Sequence, residues 1–261
     1  MESKRLSLYV FLPWPIWLTG LTLSSVAVIS VSAQNYFPSF PSHLTGDSSS
    51  SVPFSAGTNT AGRFQEVYDA AGFIDLAGNR PLWIRTIQFR EDENQLKGFF
   101  SHFPDFQVNL STTSRSVDGL SDVFSLNVGP DDRAVVGRGA FELGSDSSHG
   151  EFGVIIFLAQ PSYYDPSQGD LLMDVRNFGG GRTSWGVPPF TGPAYVDASN
   201  ITGDSVSSVY SSSVDAASGI ASTLGLVTQF YVTPVPEPST LGLLVLGLVV
   251  VGACWMRTRR E

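Results

Sequence analysis

The chain has one cysteine, three histidines and only two lysines among its 261 residues. Cys254 lies in an apolar run next to the C-terminus, so no disulfide can staple the residues ahead of it. A chain of this length can bury enough surface to hold a core by packing alone. His43, His102 and His149 are scattered, and with a single cysteine they offer neither His-Glu-x-x-His nor any other zinc framework. His102 and His149 stand beside turn residues, and we read all three as solvated loop side chains. Gly-x-Ser-x-Gly is absent, which removes the strand-to-helix serine elbow, and so is the Gly-Lys-Ser of phosphate loops.

Long apolar runs occur only at the two ends. Near the N-terminus, Lys4 and Arg5 precede an apolar stretch over residues 6–31 that closes on Val31-Ser32-Ala33. That order predicts a signal peptide over 1–33, cut by signal peptidase between Ala33 and Gln34. Pro13 and Pro15 argue against the alternative, a retained membrane anchor. At the other end, residues 240–256 are apolar and Arg257, Arg259 and Arg260 follow. About 17 residues at 1.5 Å rise give roughly 25 Å of helix, enough to cross a hydrocarbon core with little tilt. Arginine resists transfer across a bilayer, so the cluster is expected to stay cytoplasmic. Cys254, inside the span, has no histidine near it in sequence and reads as a membrane-buried bystander.

The part between the ends is acidic. Residues 34–235 hold ten basic and 21 acidic side chains, a formal charge of −11, and Lys97 is their one lysine. Such a field repels nucleic acid and anionic membranes.

Just ahead of the C-terminal span stands Val235-Pro236-Glu237-Pro238-Ser239, where two prolines hold the chain extended and present Glu237 between them. Pro236-Glu237-Pro238, the apolar span and the terminal arginines together resemble the PEP-CTERM protein-sorting domain of Gram-negative bacteria. The resemblance implies recognition by exosortase, a multi-pass membrane enzyme with its own cysteine nucleophile, in a role similar to the sortase signals of Gram-positive cells. It implies export through the inner membrane, transient anchoring, and delivery to the cell surface or the medium.

Between the signal peptide and this tag, residues 34–60 are rich in Ser, Pro, Gly and Thr and predict a loosely ordered leader. From there to 233, short segments alternate apolar and polar residues with period two, which predicts strands over 63–68, 82–90, 106–110, 122–128, 152–158, 171–176 and 224–232. Val154-Ile155-Ile156-Phe157-Leu158 is apolar on both faces and predicts a central strand. Turn clusters at 128–132, 144–147, 164–170 and 179–181 separate these segments, and no helical stripe lasts three turns. The expected fold is all-β, a two-sheet antiparallel sandwich of jelly-roll type, in one domain over 61–233. Arg63-Phe64-Gln65-Glu66-Val67-Tyr68-Asp69, Ile87-Gln88-Phe89-Arg90, Val108-Asn109-Leu110-Ser111-Thr112-Thr113 and the stretch from Tyr164 to Val175 are similar to ectodomains of other proteins bearing such tags. These phrases are structural and carry no catalytic signature.

Candidate chemistry is sparse. Asp131, Asp132, Asp165 and Asp170 near turns are the best calcium candidates, although aspartate that starts a turn by binding its own backbone explains them without an ion. No other cofactor is expected. Glu142 and Glu151 flank one hairpin and are the pair a glycosidase reading would use. Trp83, Trp185, Tyr163, Tyr164 and Phe190 could stack on sugar rings, with Trp185 in the most loop-like context. Asn109-Leu110-Ser111 and Asn200-Ile201-Thr202 fit the N-glycosylation acceptor but read as strand and loop residues in a bacterial chain. The expected function is a non-enzymatic surface or matrix protein associated with exopolysaccharide or the envelope. A lectin-like protein or a carbohydrate-active enzyme is the alternative.

Overall fold

The computed structural model describes residues 34–41, 46–54, 61–95, 98–145, 150–185 and 190–236. All belong to one compact unit, Ala33–Glu261. The strands, in chain order, are β1 (Ser39–Phe40), β2 (Ser48–Ser50), β3 (Gly62–Tyr68), β4 (Leu82–Phe89), β5 (Phe99–Thr113), β6 (Arg133–Gly144), β7 (Val154–Tyr164) and β8 (Asp170–Asn177). They continue with β9 (Arg182–Trp185), β10 (Phe190–Thr191), β11 (Val196–Ser199), β12 (Val206–Ser211), β13 (Ile220–Ser222), β14 (Gly225–Leu226) and β15 (Thr228–Pro234).

Strand pairing is antiparallel throughout. A four-stranded sheet runs β1-β15-β4-β7, and an eight-stranded sheet runs β10-β9-β5-β8-β3-β12-β13 with β6 on the free side of β5. A small sheet, β14-β11-β2, completes the set. The alternation in β3 shows how the core arises. Phe64 and Tyr68 line up with Val175 and Leu171 on β8, and these in turn with Val108 and Thr112 on β5. All of these but Thr112 join Ile84, Ile87 and Phe89 of β4, Ile156 of β7, and Phe230 and Val232 of β15 in one apolar cluster. The expected all-β, antiparallel, layered fold is what the chain adopts.

Several local expectations differ from the structure. The segment read as a loosely ordered leader supplies β1 and β2, and its Phe40 and Phe54 are buried in the core. Phe40 packs on Phe73 with ring centroids 4.7 Å apart, so burial outweighs the local Ser/Pro composition. Phe73 belongs to a two-turn helix, α1 (Ala70–Ala77), short of the three turns that a helical stripe in the sequence would need. Asp69 caps it by accepting from the Ala71 N–H at 2.8 Å, and Gly78 closes it at φ 77°. Residues 122–128 alternate like a strand yet form a bridge at Val123 and one 3₁₀ turn over Phe124–Leu126. The expected central strand, β7, is the edge of the four-stranded sheet. Ser101-His102-Phe103-Pro104 is the interior of β5, with Pro104 at a register shift between Phe103 and Phe106, where its missing N–H breaks no ladder bond.

Candidate functional site

The two sheets differ in what lies on their outer faces. On the four-stranded sheet, register places Tyr231 opposite Thr86 and Thr86 opposite Phe157. A second row places Thr233 opposite Trp83 and Trp83 opposite Tyr163. Phe37, leading into β1, stacks on Tyr231 with centroids 5.2 Å apart, and Trp83 meets Tyr163 edge-on at 5.6 Å. Three of these rings are open to solvent, Phe157 at 74% exposed, Phe37 at 50% and Tyr163 at 45%, while Trp83 and Tyr231 are half-buried. Amides and hydroxyls lie between them. Gln229 donates to Ser39 Oγ at 2.9 Å, Gln88 to Thr86 Oγ1 at 3.1 Å, and the Tyr231 hydroxyl to Asn35 Oδ1 at 3.0 Å. Arg85, whose Nε donates to Thr233 Oγ1 at 3.2 Å, is the one charged residue in the four strands, and none of them contains an acid.

The outer face of the eight-stranded sheet is charged at its centre and, over β3 and β8, covered. Asp174, 2% exposed, accepts from Arg63 Nε at 3.0 Å, from Arg176 Nη2 at 2.9 Å and from Gln65 Nε2 at 3.1 Å. Burial works to raise the Asp174 carboxyl, but the two guanidiniums outweigh it and hold the group below the usual carboxylate range. Residues 114–132 lie over this network. Phe124 is fully buried with the Arg63 guanidinium 4.5 Å from its ring centroid, and Asn127 donates to Gln65 Oε1 at 3.0 Å.

The same segment explains two of the calcium candidates. Asp131 accepts from the Thr112 N–H and hydroxyl, each at 2.7 Å, and Asp132 accepts both its bonds from Asn109 Nδ2 at 3.0 Å. Asp165 accepts from Ser167 N at 3.0 Å, and Asp170 from Ala70 N at 2.9 Å, with burial pushing the Asp170 carboxyl up. Among the described residues, no group of three His, Cys, Asp or Glu stands close enough to hold an ion.

The remaining sugar and acid candidates separate. Trp83 and Tyr163 come together on the open face, whereas Tyr164 is buried and donates to Gly169 O at 2.9 Å. Trp185 ends β9 and pairs with Phe190 of β10, so its backbone is strand where a loop was expected. Glu142 is a cross-strand neighbour of His102 on exposed β6, with Oε1 3.5 Å from His102 Nδ1, and Glu151 precedes β7.

Sequence reading missed an acid-lined cavity of about 400 Å³ bounded by Asp47, Asp92, Glu93 and Asp197. Three of its carboxylates hold the fold. Asp197 is ion-paired to buried Arg90, Asp92 accepts from Asn94 N at 2.9 Å, and Asp47 from Asn200 N at 2.8 Å. The pairing depends on residues more than 100 positions apart, which no local pattern announces.

At the end of β15, Pro234 lies opposite Leu82, Val235 N donates to Pro81 O at 2.9 Å, and Pro236 is exposed. Gln34, on the far side of the expected signal cleavage, is exposed as well. Ala33, Glu237, Pro238, the apolar span and Arg257, Arg259 and Arg260 lie outside the described residues, as do His43, Lys97 and His149. Among the described residues no helix is long and apolar enough to cross a membrane.

An antiparallel β-sandwich followed directly by a sorting segment is the class of protein these features define. Residues 234–260 match the family model of the PEP-CTERM protein-sorting motif. The motif marks a protein that exosortase sorts to the cell envelope or surface, which makes exosortase the implied partner. No curated protein and no solved structure matches the chain.

Proposed function

We propose that the chain is a non-enzymatic envelope or matrix protein. Signal peptidase removes residues 1–33, the 240–256 span anchors the domain until exosortase cuts at the tag, and the sandwich then serves a structural or adhesive role with extracellular polysaccharide. The observation that carries this reading is the motif match over 234–260, which begins where β15 ends, so that the folded domain is delivered as one body. A structural role is further supported by the jobs its acids already have: Asp174, Asp131, Asp132 and Asp197 each fix a strand or turn.

Changing Glu237 to Ala in cells that hold an exosortase should leave the uncleaved form in the membrane. Unchanged processing would mean that Glu237 is not read. A general glycosidase screen on the secreted protein should be silent, and turnover of any polysaccharide would replace this reading with the enzymatic one.

A further inference from the structure

We infer that the outer face of the four-stranded sheet is a binding platform for a neutral polysaccharide, with Trp83, Tyr163, Phe157 and the Phe37–Tyr231 pair as its stacking surfaces. This rests on the polysaccharide role proposed above and gives it a location and a ligand charge.

Exposing large aromatic rings forgoes burial that would stabilise the fold, and on the opposite sheet the chain covers its outer face with Phe124. Here Phe157, Tyr163 and Phe37 stay open and, with the half-buried Trp83 and Tyr231, mark two rows that cross the sheet. The rows are two residues apart on β15, roughly 7 Å, and adjacent strands are about 4.8 Å apart, so the face is an extended platform. Gln88 and Gln229 lie opposite each other beside the rows. A pyranose chain has the matching surface, apolar C–H patches for the rings and hydroxyls for the amides between them.

Charge decides among partners. The exported part carries −11, so a polyanion or an anionic lipid surface is repelled. The face itself offers no carboxylate to a polycation, since its four strands hold no acid. An uncharged polymer is the partner that fits both facts.

The test uses the protein as cells deliver it, recovered from the medium or, if unprocessed, from detergent-solubilised membranes. Affinity electrophoresis is run through cellulose derivatives, xylan, galactomannan and other neutral polysaccharides, with alginate as the polyanion. The wild type should be retarded by a neutral polymer and not by alginate. Phe157→Ala and Tyr163→Ala should each weaken retardation about tenfold, the size of one lost ring contact. Ile220→Ala, which removes a 77% exposed side chain from β13 of the other sheet, should change nothing. No retardation by any neutral polymer, preference for alginate, or equal loss in Ile220→Ala would overturn the platform. So would a dimer that dissociates in Phe157→Ala, since the face would then cover a second copy. Intact mass on the same samples separates the failures. Normal processing without retardation sinks the platform alone, retardation that survives both ring variants leaves a polysaccharide role at another site, and absence of processing sinks the sorting.

Discussion

The two outer faces of the sandwich are made of the same element, a twisted antiparallel sheet, and end in opposite states. On the eight-stranded sheet, Arg63, Asp174 and Arg176 are locked together and residues 114–132 are laid across them with Phe124 inserted. On the four-stranded sheet, no acid and one arginine stand among open rings. A charged face can be left beside water at little cost, yet this one is covered, and the apolar face is not. Stability alone would choose the reverse, so the open face is the place to look for a ligand.

Removing the cover should have the largest effect. Phe124→Ala leaves a void over Arg63 and should cost about 3–5 kcal/mol in a denaturant titration. A loss under 1 kcal/mol would mean that the cover contributes little. Asp174→Ala, which takes the shared acceptor from Arg63 and Arg176, should cost about 3 kcal/mol. Because the folded Asp174 carboxyl is held low, its contribution is complete above about pH 4 and is lost as pH falls through the folded value, so the variant should show a flatter acid limb.

Glu66 lies on the inner face of the same sheet, fully buried, with Oε1 accepting from the Leu226 N–H at 2.6 Å. Burial pushes its carboxyl well up despite that bond. The folded state therefore holds this proton at pH values where the unfolded chain has lost it. Stability should rise as pH falls from 8 toward the unfolded value of about 4.3. Glu66→Gln should stabilise the domain at pH 8, converge on the wild type near pH 4, and flatten the slope between. An unchanged slope would assign the pH dependence to Asp197, Asp204 and Asp170, whose carboxyls burial also raises. The smallest change belongs to the open face, where Phe157→Ala should alter stability by no more than about 0.5 kcal/mol. A larger loss would show that Phe157 is held by something and is not free for a ligand.

The same contrast explains what the sequence made legible. Strands β3, β4 and β8 fall within a residue or two of the alternation that predicted them, because each pattern repeats over six to nine residues. Val154 to Leu158 announced apolar side chains on both faces but not which face would stay open, since that depends on cover from elsewhere in the chain. Phe157 therefore carries no outward signal in the sequence, and of the platform's rings only Trp83 and Tyr163 stand among the five sugar-stacking candidates. Residues 122–128 carry a strand's alternation, but Phe124 is anchored by a long-range contact with Arg63, and that contact decided their structure. Phe40 and Phe54 were hidden in a composition that reads as leader, where two large rings outweigh many serines once a core exists to receive them. The tag was the most legible part, because its order of prolines, apolar run and arginines is linear and needs no fold to assemble it.

Sorting is the central claim, and intact mass of the secreted protein from exosortase-bearing cells tests it most directly. The account predicts a chain that begins at Gln34, ends before the apolar span of 240–256 and, having lost Cys254, has no thiol to titrate. A secreted or surface form that still carries Cys254 and Arg257 to Arg260 would contradict it.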